Sequence, residues 1–309
     1  MKIDLIICTH NPRWDYLIRT LDSIARQQIS DGMEVEKLLV DNNSPPECSE
    51  KLKALCAERG FRYLFEEKQG QVHARFLGMR ETTGEIILWS DDDTVLAPNY
   101  LAEASRIARE KPFLGIWGGS VTLELEKPVR EDVRPYLALL TEQLVQYEEW
   151  SNYRDCLPVA GAGMCMRRVV VERCIKNYEI SPLYKYLGRS VENLFSGEDW
   201  DFCITCAEMG FGVGRMPQLS LTHLIPERRT KEEYLLKIAY GHRYSAQILL
   251  AIRGLASIPV VSSRRVLEMN LRQLIKPAFA KKILLAEWKG AKDGAEFVSQ
   301  NLSLLIFVK

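Results

Sequence analysis

The 309-residue chain lacks net charge, because 41 Lys and Arg are matched by 41 Asp and Glu. Proteins that bind nucleic acid generally carry a basic excess, so the balance predicts no nucleic-acid partner. The eight cysteines are scattered and do not form the framework of a small disulfide-rich scaffold. Hydrophobic residues make up 47% and charged residues 27%, a composition typical of folded globular proteins that excludes disorder.

Long apolar runs are also missing. No stretch reaches the roughly 18–20 uninterrupted apolar residues that cross a bilayer. The first apolar run is interrupted by Asp4 and is followed by a polar turn without a small-residue cleavage site, so it predicts a β-strand and not a signal peptide. We therefore expect a cytoplasmic protein with reduced thiols. Cys203 and Cys206 are interpreted as buried thiols of an amphipathic helix, with metal or redox chemistry as the minor alternative.

Charge is distributed unevenly along the chain. Residues 227–309 hold 15 Lys and Arg and seven Asp and Glu, a net of +8, so residues 1–226 carry −8. Basic side chains accompany apolar helical stripes in the C-terminal part: Arg243, Arg253, Arg264, Arg265, Arg272, Lys276, Lys281 and Lys282. This pattern fits contact with an anionic membrane surface. The alternative is a set of helices that cap the first domain or form a homodimer.

Strand patterns alternate with helical patterns over the first hundred residues. Predicted strands cover 3–9, 37–40, 62–65 and 85–90, and predicted helices cover 14–28, 48–58 and 72–82. This alternation predicts an α/β fold with a Rossmann-type, mostly parallel central sheet flanked by helices. Later patterns predict strands over 116–123 and 158–166, helices over 133–147 and 199–209, and a helical C-terminal extension over 234–251, 264–275 and 281–288.

Polar residues directly follow the first, second and fourth predicted strands. In parallel sheets, ligands bind beyond the carboxyl ends of the strands. Asp91, Asp92 and Asp93 are the sharpest signal, since three adjacent carboxylates repel one another and need a compensating positive charge. Their oxygens suit Mg²⁺ or Mn²⁺, which would share a diphosphate with the protein. The alternative is a solvated acidic turn that caps the next helix.

Several motifs in consistent order resemble the family 2 glycosyltransferases, which have the GT-A fold and use nucleoside diphosphate sugars. The resemblance runs from Ile3 to about Thr230. It rests on the segments Ile6–Arg13, Leu38–Ser44, Gly70–Arg75, Ser90–Asp93 with Pro98–Leu101, Gly161–Arg168 and Gly197–Phe202. It implies a GT-A domain over 1–226, with a nucleotide-sugar-binding half (1–115) and an acceptor half (116–226), followed by a helical basic region over 227–309.

The resemblance also implies roles for individual residues. Donor-binding residues are expected to be Thr9, Asn11, Arg13, Asp41, Asn43, Arg75, Asp91 and Asp92; metal ligands are expected to be Asp91, Asp93 and His223. Asp199 is the expected catalytic base, with Glu198 as the alternative base. Structural explanations stay open for four of them: an Asx turn for Asp41, a surface position for Arg75, a helix start for Asp199 and a packing role for His223.

The resemblance predicts an inverting, Mn²⁺- or Mg²⁺-dependent hexosyltransferase that moves a sugar from a nucleoside diphosphate, UDP favoured, to a hydroxyl acceptor. The expected acceptor is a glycan or lipid-linked sugar in cell-surface polysaccharide or glycolipid synthesis, with peripheral contact at the inner face of the cell membrane. One alternative is a sugar-nucleotide nucleotidyltransferase, which would carry a Gly-rich loop where this chain has Thr9–Arg13. Another is an inactive GT-A-like scaffold.

Overall fold

The computed structural model describes residues 1–153, 158–255 and 277–305. The strands are β1 (Lys2–Thr9), β2 (Glu34–Asp41), β3 (Arg62–Phe65), β4 (Ile86–Asp91), β5 (Thr94–Leu96), β6 (Leu114–Leu125), β7 (Glu149–Ser151), β8 (Cys165–Arg167) and β9 (Gly212–Ile225). The helices are α1 (Trp14–Ala25), α2 (Pro46–Arg59), α3 (Gln71–Arg80), α4 (Tyr100–Glu110), α5 (Arg168–Ile180), α6 (Glu198–Glu208), α7 (Glu232–Ile252) and α8 (Ala278–Gln300). Short 3-10 helices cover Arg134–Leu140, Pro182–Leu187, Glu227–Thr230 and Leu302–Leu304.

The described strands form one sheet in the order β3-β2-β1-β4-β8-β6-β9-β5, with β7 paired to β9. Strands β3, β2, β1 and β4 run parallel to one another. In this register Thr9 lies opposite Asp41, and Cys8 lies opposite Asp91. The prediction of an α/β fold with a central sheet flanked by helices is therefore confirmed, and the polar residues after β1, β2 and β4 share one edge.

The other half of the sheet contains antiparallel pairs, so the sheet is mixed. Strand β8 runs antiparallel to β4 and β6, and β5 and β7 run antiparallel to β9. The chain turns back just before β8, where Gly163 has a φ of 78°, a conformation that favours glycine. Residues 158–164, where a strand was predicted, hold this turn and are irregular.

Strand β1 is buried over most of its length. Ile3, Leu5 and Ile7 of β1 belong to one apolar cluster with Leu17 and Leu21 of α1. Alternate residues of a strand point to opposite faces, so β1 needs apolar residues at every position where helices cover both sides. The helical spacing in α1 places its apolar stripe on this core.

The described chain divides into two compact units: unit 1 holds 1–124, 141–176 and 199–225, and unit 2 holds 125–140, 177–198 and 226–309. The end of unit 1 at Ile225 lies next to the predicted boundary at 226. The segments 125–140 and 177–198, which were predicted in the acceptor half, cluster with the C-terminal helices. Within unit 2, aromatic rings pack closely: Phe195 stacks on Tyr244 with ring centroids 4.6 Å apart.

Three further sequence predictions have clear outcomes. The helix predicted over 133–147 is only the 3-10 helix Arg134–Leu140, which stops where Thr141 has a φ of 71°. Cys203 and Cys206 are buried free thiols in α6, as interpreted. The helix predicted over 264–275 and the basic residues Arg264, Arg265, Arg272 and Lys276 lie outside the described residues. Within the described ranges, the helices are too short or too polar to cross a membrane.

Candidate active site

The acidic triplet lies in a tight turn between β4 and β5. Asp91 ends β4, Asp92 and Asp93 form the turn, and Thr94 begins β5. The Thr94 hydroxyl donates to the Asp91 carbonyl at 2.9 Å, and the Thr94 N–H donates to Thr20 Oγ1 of α1 at 3.1 Å. These bonds fix the backbone of the turn to its own strand and to the helix behind it.

The three carboxylates have different partners. Asp91 Oδ1 lies 3.5 Å from Nη2 of Arg75. The hydroxyl of Thr9 donates to Asp92, and Asp93 Oδ1 lies 3.4 Å from Nε2 of His223. Spreading the carboxylates over a guanidinium, a hydroxyl and an imidazole reduces the mutual repulsion that the sequence implied. The structure thus groups most of the residues that were predicted to bind donor and metal.

The donor chemistry at this turn suits a hard divalent cation. Asp93 and His223 place a carboxylate oxygen and an imidazole nitrogen side by side, and both are ligands that Mn²⁺ accepts. Within the described residues, no group of three or more His, Cys, Asp or Glu is arranged to hold a metal ion. Mg²⁺ in phosphate-binding sites commonly takes one or two carboxylates, with water and substrate phosphates completing its coordination. The residues present fit a cation of this kind.

Arg75 is buried and is not the surface arginine that was the alternative interpretation. Its side chain is 3% exposed, and its guanidinium lies over the ring of Trp89 at 5.4 Å from the centroid. Arg75 belongs to α3, and Trp89 is two residues before Asp91 in β4. Packing and the neighbouring carboxylate together hold a forked donor, suited to phosphate oxygens, at the carboxyl edge of β4.

Asp199 lies in the first turn of α6. Its Oδ2 accepts a hydrogen bond from the N–H of Gly161 at 3.2 Å, and its Oδ1 accepts one from the N–H of Trp200 at 2.8 Å. The second bond is local to the helix start, whereas the first joins α6 to the turn before β8. Glu198, the alternative base, is buried. The assignment of Asp199 as base and Glu198 as its alternative stays a prediction.

Asp41 is fully buried, and its carboxylate accepts hydrogen bonds from three other residues of the chain. Its Oδ1 accepts from the N–H of Ser44 at 3.0 Å, and its Oδ2 accepts from the hydroxyls of Ser49 at 2.6 Å and Tyr63 at 2.8 Å. Burial, together with the bond to Asp41, raises the pKa of Tyr63. These contacts are those of the structural alternative, a side-chain-stabilised turn. Direct contact between Asp41 and a nucleobase stays a prediction.

The remaining predicted donor residues lie on exposed turns. Asn11 and Asn43 adopt left-handed conformations, with φ of 45° and 58°, and the N–H of Asn11 donates to Ser44 Oγ at 2.8 Å. Arg13 forms a two-pronged pair with Asp15, with Nε 2.9 Å from Oδ1, and its guanidinium lies over Tyr16. These contacts of Arg13 are with its own helix start.

Asn42 is one of the polar residues that follow the second predicted strand, but the sequence assigned it no individual role. It is buried; its Nδ2 donates to the Lys68 carbonyl at 2.7 Å, and its Oδ1 accepts from the Gly70 N–H at 2.7 Å. Its own N–H donates to the Thr9 carbonyl at 2.8 Å. Asn42 therefore ties the ends of β1 and β2 to the segment that precedes α3. In the sequence nothing distinguished it from Asn43, because its role depends on contacts 26 and 28 residues away.

The comparisons with known proteins concern the family and the fold of the chain. The family profile described as Glycosyl transferase family 2 matches residues 4–173, more than half of the chain. YwdF, an uncharacterized glycosyltransferase of Bacillus subtilis, is 28% identical over 224 residues, which cover 72% of this chain and 74% of that protein. An N-acetylglucosaminyltransferase of Azorhizobium caulinodans is 24% identical over 234 residues, which cover 73% of this chain but only 55% of that protein.

A solved structure of GalNAc-T7 with UDP, GalNAc and Mn²⁺ has a similar fold. The TM-score is 0.52 at 14% identity, and the match covers 98% of this chain and 57% of that one. At this identity the likeness concerns the fold, which is the GT-A fold that the sequence predicted. Together with the family profile, it identifies the chain as a glycosyltransferase that belongs to glycosyl transferase family 2.

Proposed function

We propose that the protein is an inverting, divalent-metal-dependent enzyme that transfers a sugar from a nucleoside diphosphate, UDP favoured, to a hydroxyl group of a glycan or lipid-linked acceptor. The observation that carries this proposal is the grouping at the edge of unit 1. A buried guanidinium meets Asp91, an imidazole meets Asp93, and Asp199 is held by the turn before β8. Arg75 can bind an anionic donor, Asp93 and His223 can bind a cation, and Asp199 can accept a proton.

The donor would be held mainly by charge. Arg75 offers forked N–H donors to the diphosphate, and Thr9 and Asp92 lie beside it at the ends of β1 and β4. Asp93 and His223, with Asp91, would hold Mn²⁺ or Mg²⁺. Such an ion, when bound, stabilises the negative charge that develops on the departing diphosphate. UDP and Mn²⁺ in the GalNAc-T7 structure support this choice of nucleotide and metal.

Asp199 would act as general base. Its carboxylate accepts the proton of the acceptor hydroxyl while that oxygen bonds to the anomeric carbon. The bond between the anomeric carbon and the diphosphate oxygen breaks, and the nucleoside diphosphate leaves with the electron pair. Attack opposite to the leaving group inverts the anomeric configuration. The N–H groups of Gly161 and Trp200 fix the orientation of the carboxylate for this proton transfer.

Slow hydrolysis of the donor tests this function without knowledge of the acceptor. Purified protein is incubated with UDP-, GDP- and dTDP-sugars in Mn²⁺, in Mg²⁺ and in EDTA, and release of the free sugar and nucleoside diphosphate is measured. We expect hydrolysis of a UDP-sugar that requires the metal. Formation of sugar 1-phosphate and nucleoside triphosphate from pyrophosphate would instead support a nucleotidyltransferase. Absence of binding and hydrolysis with every donor would support an inactive scaffold.

Contact with the inner face of the cell membrane, or a homodimer, stays a prediction for the basic C-terminal region. In the described part of unit 2, Lys282 lies 2.5 Å from Glu232, Arg243 lies 3.5 Å from Glu287, and Arg253 is buried. These contacts lower the charge that α7 and α8 offer to a surface. Flotation with vesicles of anionic and of neutral lipid tests membrane contact, and light scattering tests the dimer.

A further inference from the structure

The turn at Gly161 contacts two proposed site residues at once. Its N–H donates to Asp199 Oδ2 at 3.2 Å. A methyl group added to its Cα would lie 2.8 Å from Nη2 and 2.9 Å from Nη1 of Arg75. The guanidinium that pairs with Asp91 therefore occupies the space that any other side chain at 161 would take.

The core of unit 1 holds this turn rigidly. The Gly163 N–H donates to the Trp89 carbonyl at 2.8 Å, and the Trp89 N–H donates to the Met164 carbonyl at 2.9 Å. The hydroxyl of Tyr100 donates to the Gly163 carbonyl at 2.7 Å, and burial raises the pKa of that hydroxyl well above its usual value. Because Trp89 precedes Asp91 by two residues in β4, the turn and the acidic triplet are fixed to the same strand.

The backbone at Gly161 does not itself require glycine. Gly163 has a positive φ of 78°, whereas Gly161 is not among the residues with positive φ. The need for glycine at 161 comes from the guanidinium, which is the end of a flexible side chain. Alanine at 161 should therefore displace Arg75 and leave the turn and its N–H in place.

We propose that Gly161 is a positioning residue that fixes both the proposed base, Asp199, and the proposed diphosphate ligand, Arg75. Its N–H orients Asp199, and its missing side chain keeps the Arg75 guanidinium beside Asp91. The inference rests on the proposed function, since it concerns residues that would bind and activate the substrates. It goes beyond that function because one glycine would position both a donor-binding residue, Arg75, and the proposed base, Asp199.

The test is a double-mutant cycle read by calorimetric titration of UDP in Mn²⁺. In the wild-type background, we expect Gly161→Ala to weaken UDP binding ~10- to 100-fold, the loss of a charge-assisted hydrogen bond. In the Arg75→Ala background, the same substitution should leave UDP affinity unchanged, because the group that it displaces is absent. Gly78→Ala is the matched control: its methyl group would meet Ile6 Cγ2 of the core at 2.9 Å, so it should alter the melting temperature and not UDP affinity.

The outcomes separate this inference from the function on which it rests. Equal loss of affinity in both backgrounds, or wild-type affinity in Gly161→Ala, would overturn the positioning role. Folding is read from thermal unfolding, where the double variant should melt as Arg75→Ala does. If the double variant melts at a lower temperature than Arg75→Ala, the backbone of the turn itself requires glycine at 161, and the inference is overturned. A wild-type protein that binds no nucleoside diphosphate would instead overturn the proposed function itself.

Discussion

In unit 1 three consecutive carboxylates share one turn, whereas in unit 2 several helix carboxylates pair with lysine or arginine side chains. Asp91, Asp92 and Asp93 are distributed over a guanidinium, a hydroxyl and an imidazole. Examples in unit 2 are Lys282 with Glu232, Lys237 with Glu233 and Arg243 with Glu287. The zero net charge of the chain is thus the sum of an acidic region and a basic one that are organised differently.

The difference indicates where function is concentrated. Exposed ion pairs such as those of unit 2 contribute little to stability, so single charges there are replaceable. Like charges held together at the end of a buried strand cost free energy and are typical of sites that bind cations or transfer protons. We therefore expect substitutions in unit 1 to change binding and turnover, and substitutions of the paired charges in unit 2 to change stability slightly.

The largest effect is expected at Asp199. Asp199→Asn keeps the shape of the side chain but removes the proton acceptor, so donor turnover should fall about 10²- to 10⁴-fold while UDP affinity is retained. Rates of UDP-sugar hydrolysis and calorimetric UDP binding measure the two effects. Glu198→Gln is the paired variant. If it loses turnover and Asp199→Asn does not, the base is Glu198.

Asp93 should govern binding and not turnover alone. Asp93→Ala removes a proposed metal ligand and the neighbour of His223, so the gain in UDP affinity on adding Mn²⁺ should shrink about 100-fold or disappear. Titrations of UDP with and without Mn²⁺ measure that gain. Glu232→Ala in unit 2 is the control, since it removes a carboxylate that has a lysine partner. A gain in Asp93→Ala equal to that of wild type would remove Asp93 from the metal site.

Asp4 provides a smaller, pH-dependent effect at the opposite end of β1. Burial raises the pKa of Asp4 above its ordinary value of 3.8, and its carboxylate pairs with Arg168 at 3.2 Å. Because the folded state then binds a proton more readily than the unfolded state, the cost of the charge is present above the raised pKa and is lost as pH falls towards 3.8. Urea unfolding at several pH values should show wild type gaining stability relative to Asp4→Asn as pH falls from 7 to 4. A difference that is constant or moves the other way would contradict this.

The smallest effect is expected in unit 2. Lys282→Ala breaks the pair with Glu232, in which the two side chains are 54% and 33% exposed. Loss of this exposed pair should cost less than about 1 kcal/mol of unfolding free energy. UDP affinity and donor hydrolysis should not change. A loss of UDP affinity comparable to that of Asp93→Ala would show that the contrast between the units is wrong.

The sequence predicted local elements better than distant pairings. Apolar periodicity located β1, β2, β4 and the helices α1, α2, α3 and α6 within a few residues, because each pattern is contained in one segment. The 14-residue strand β9 was predicted only as a short strand after the glycines at 210–214, since Gly212 and Gly214 weaken its strand pattern and its pairing partners lie far away in the chain. The antiparallel pairing of β8 with β4 and β6 likewise depends on distant segments of the chain.

The residues of the candidate site also divide into those detectable within one segment of sequence and those that depend on contacts between segments. Asp91, Asp92 and Asp93 were detectable because like charges directly after an apolar strand are unusual. The saturation of Asp41 by Ser49 and Tyr63, and the anchoring role of Asn42, depend on contacts between separate segments. Motif order led to Arg75 and Asp199, but only the folded chain places Gly161 against both.

Calorimetric titration of UDP into the wild-type protein, in Mn²⁺ and again in EDTA, tests the central claim most directly. The claim is that the acidic turn, Arg75 and His223 of unit 1 form a metal-assisted site for a nucleoside diphosphate. It predicts saturable binding of one UDP per chain in Mn²⁺ and at least about tenfold weaker binding in EDTA. UDP affinity that is the same in Mn²⁺ and EDTA, or no binding in either, would contradict it.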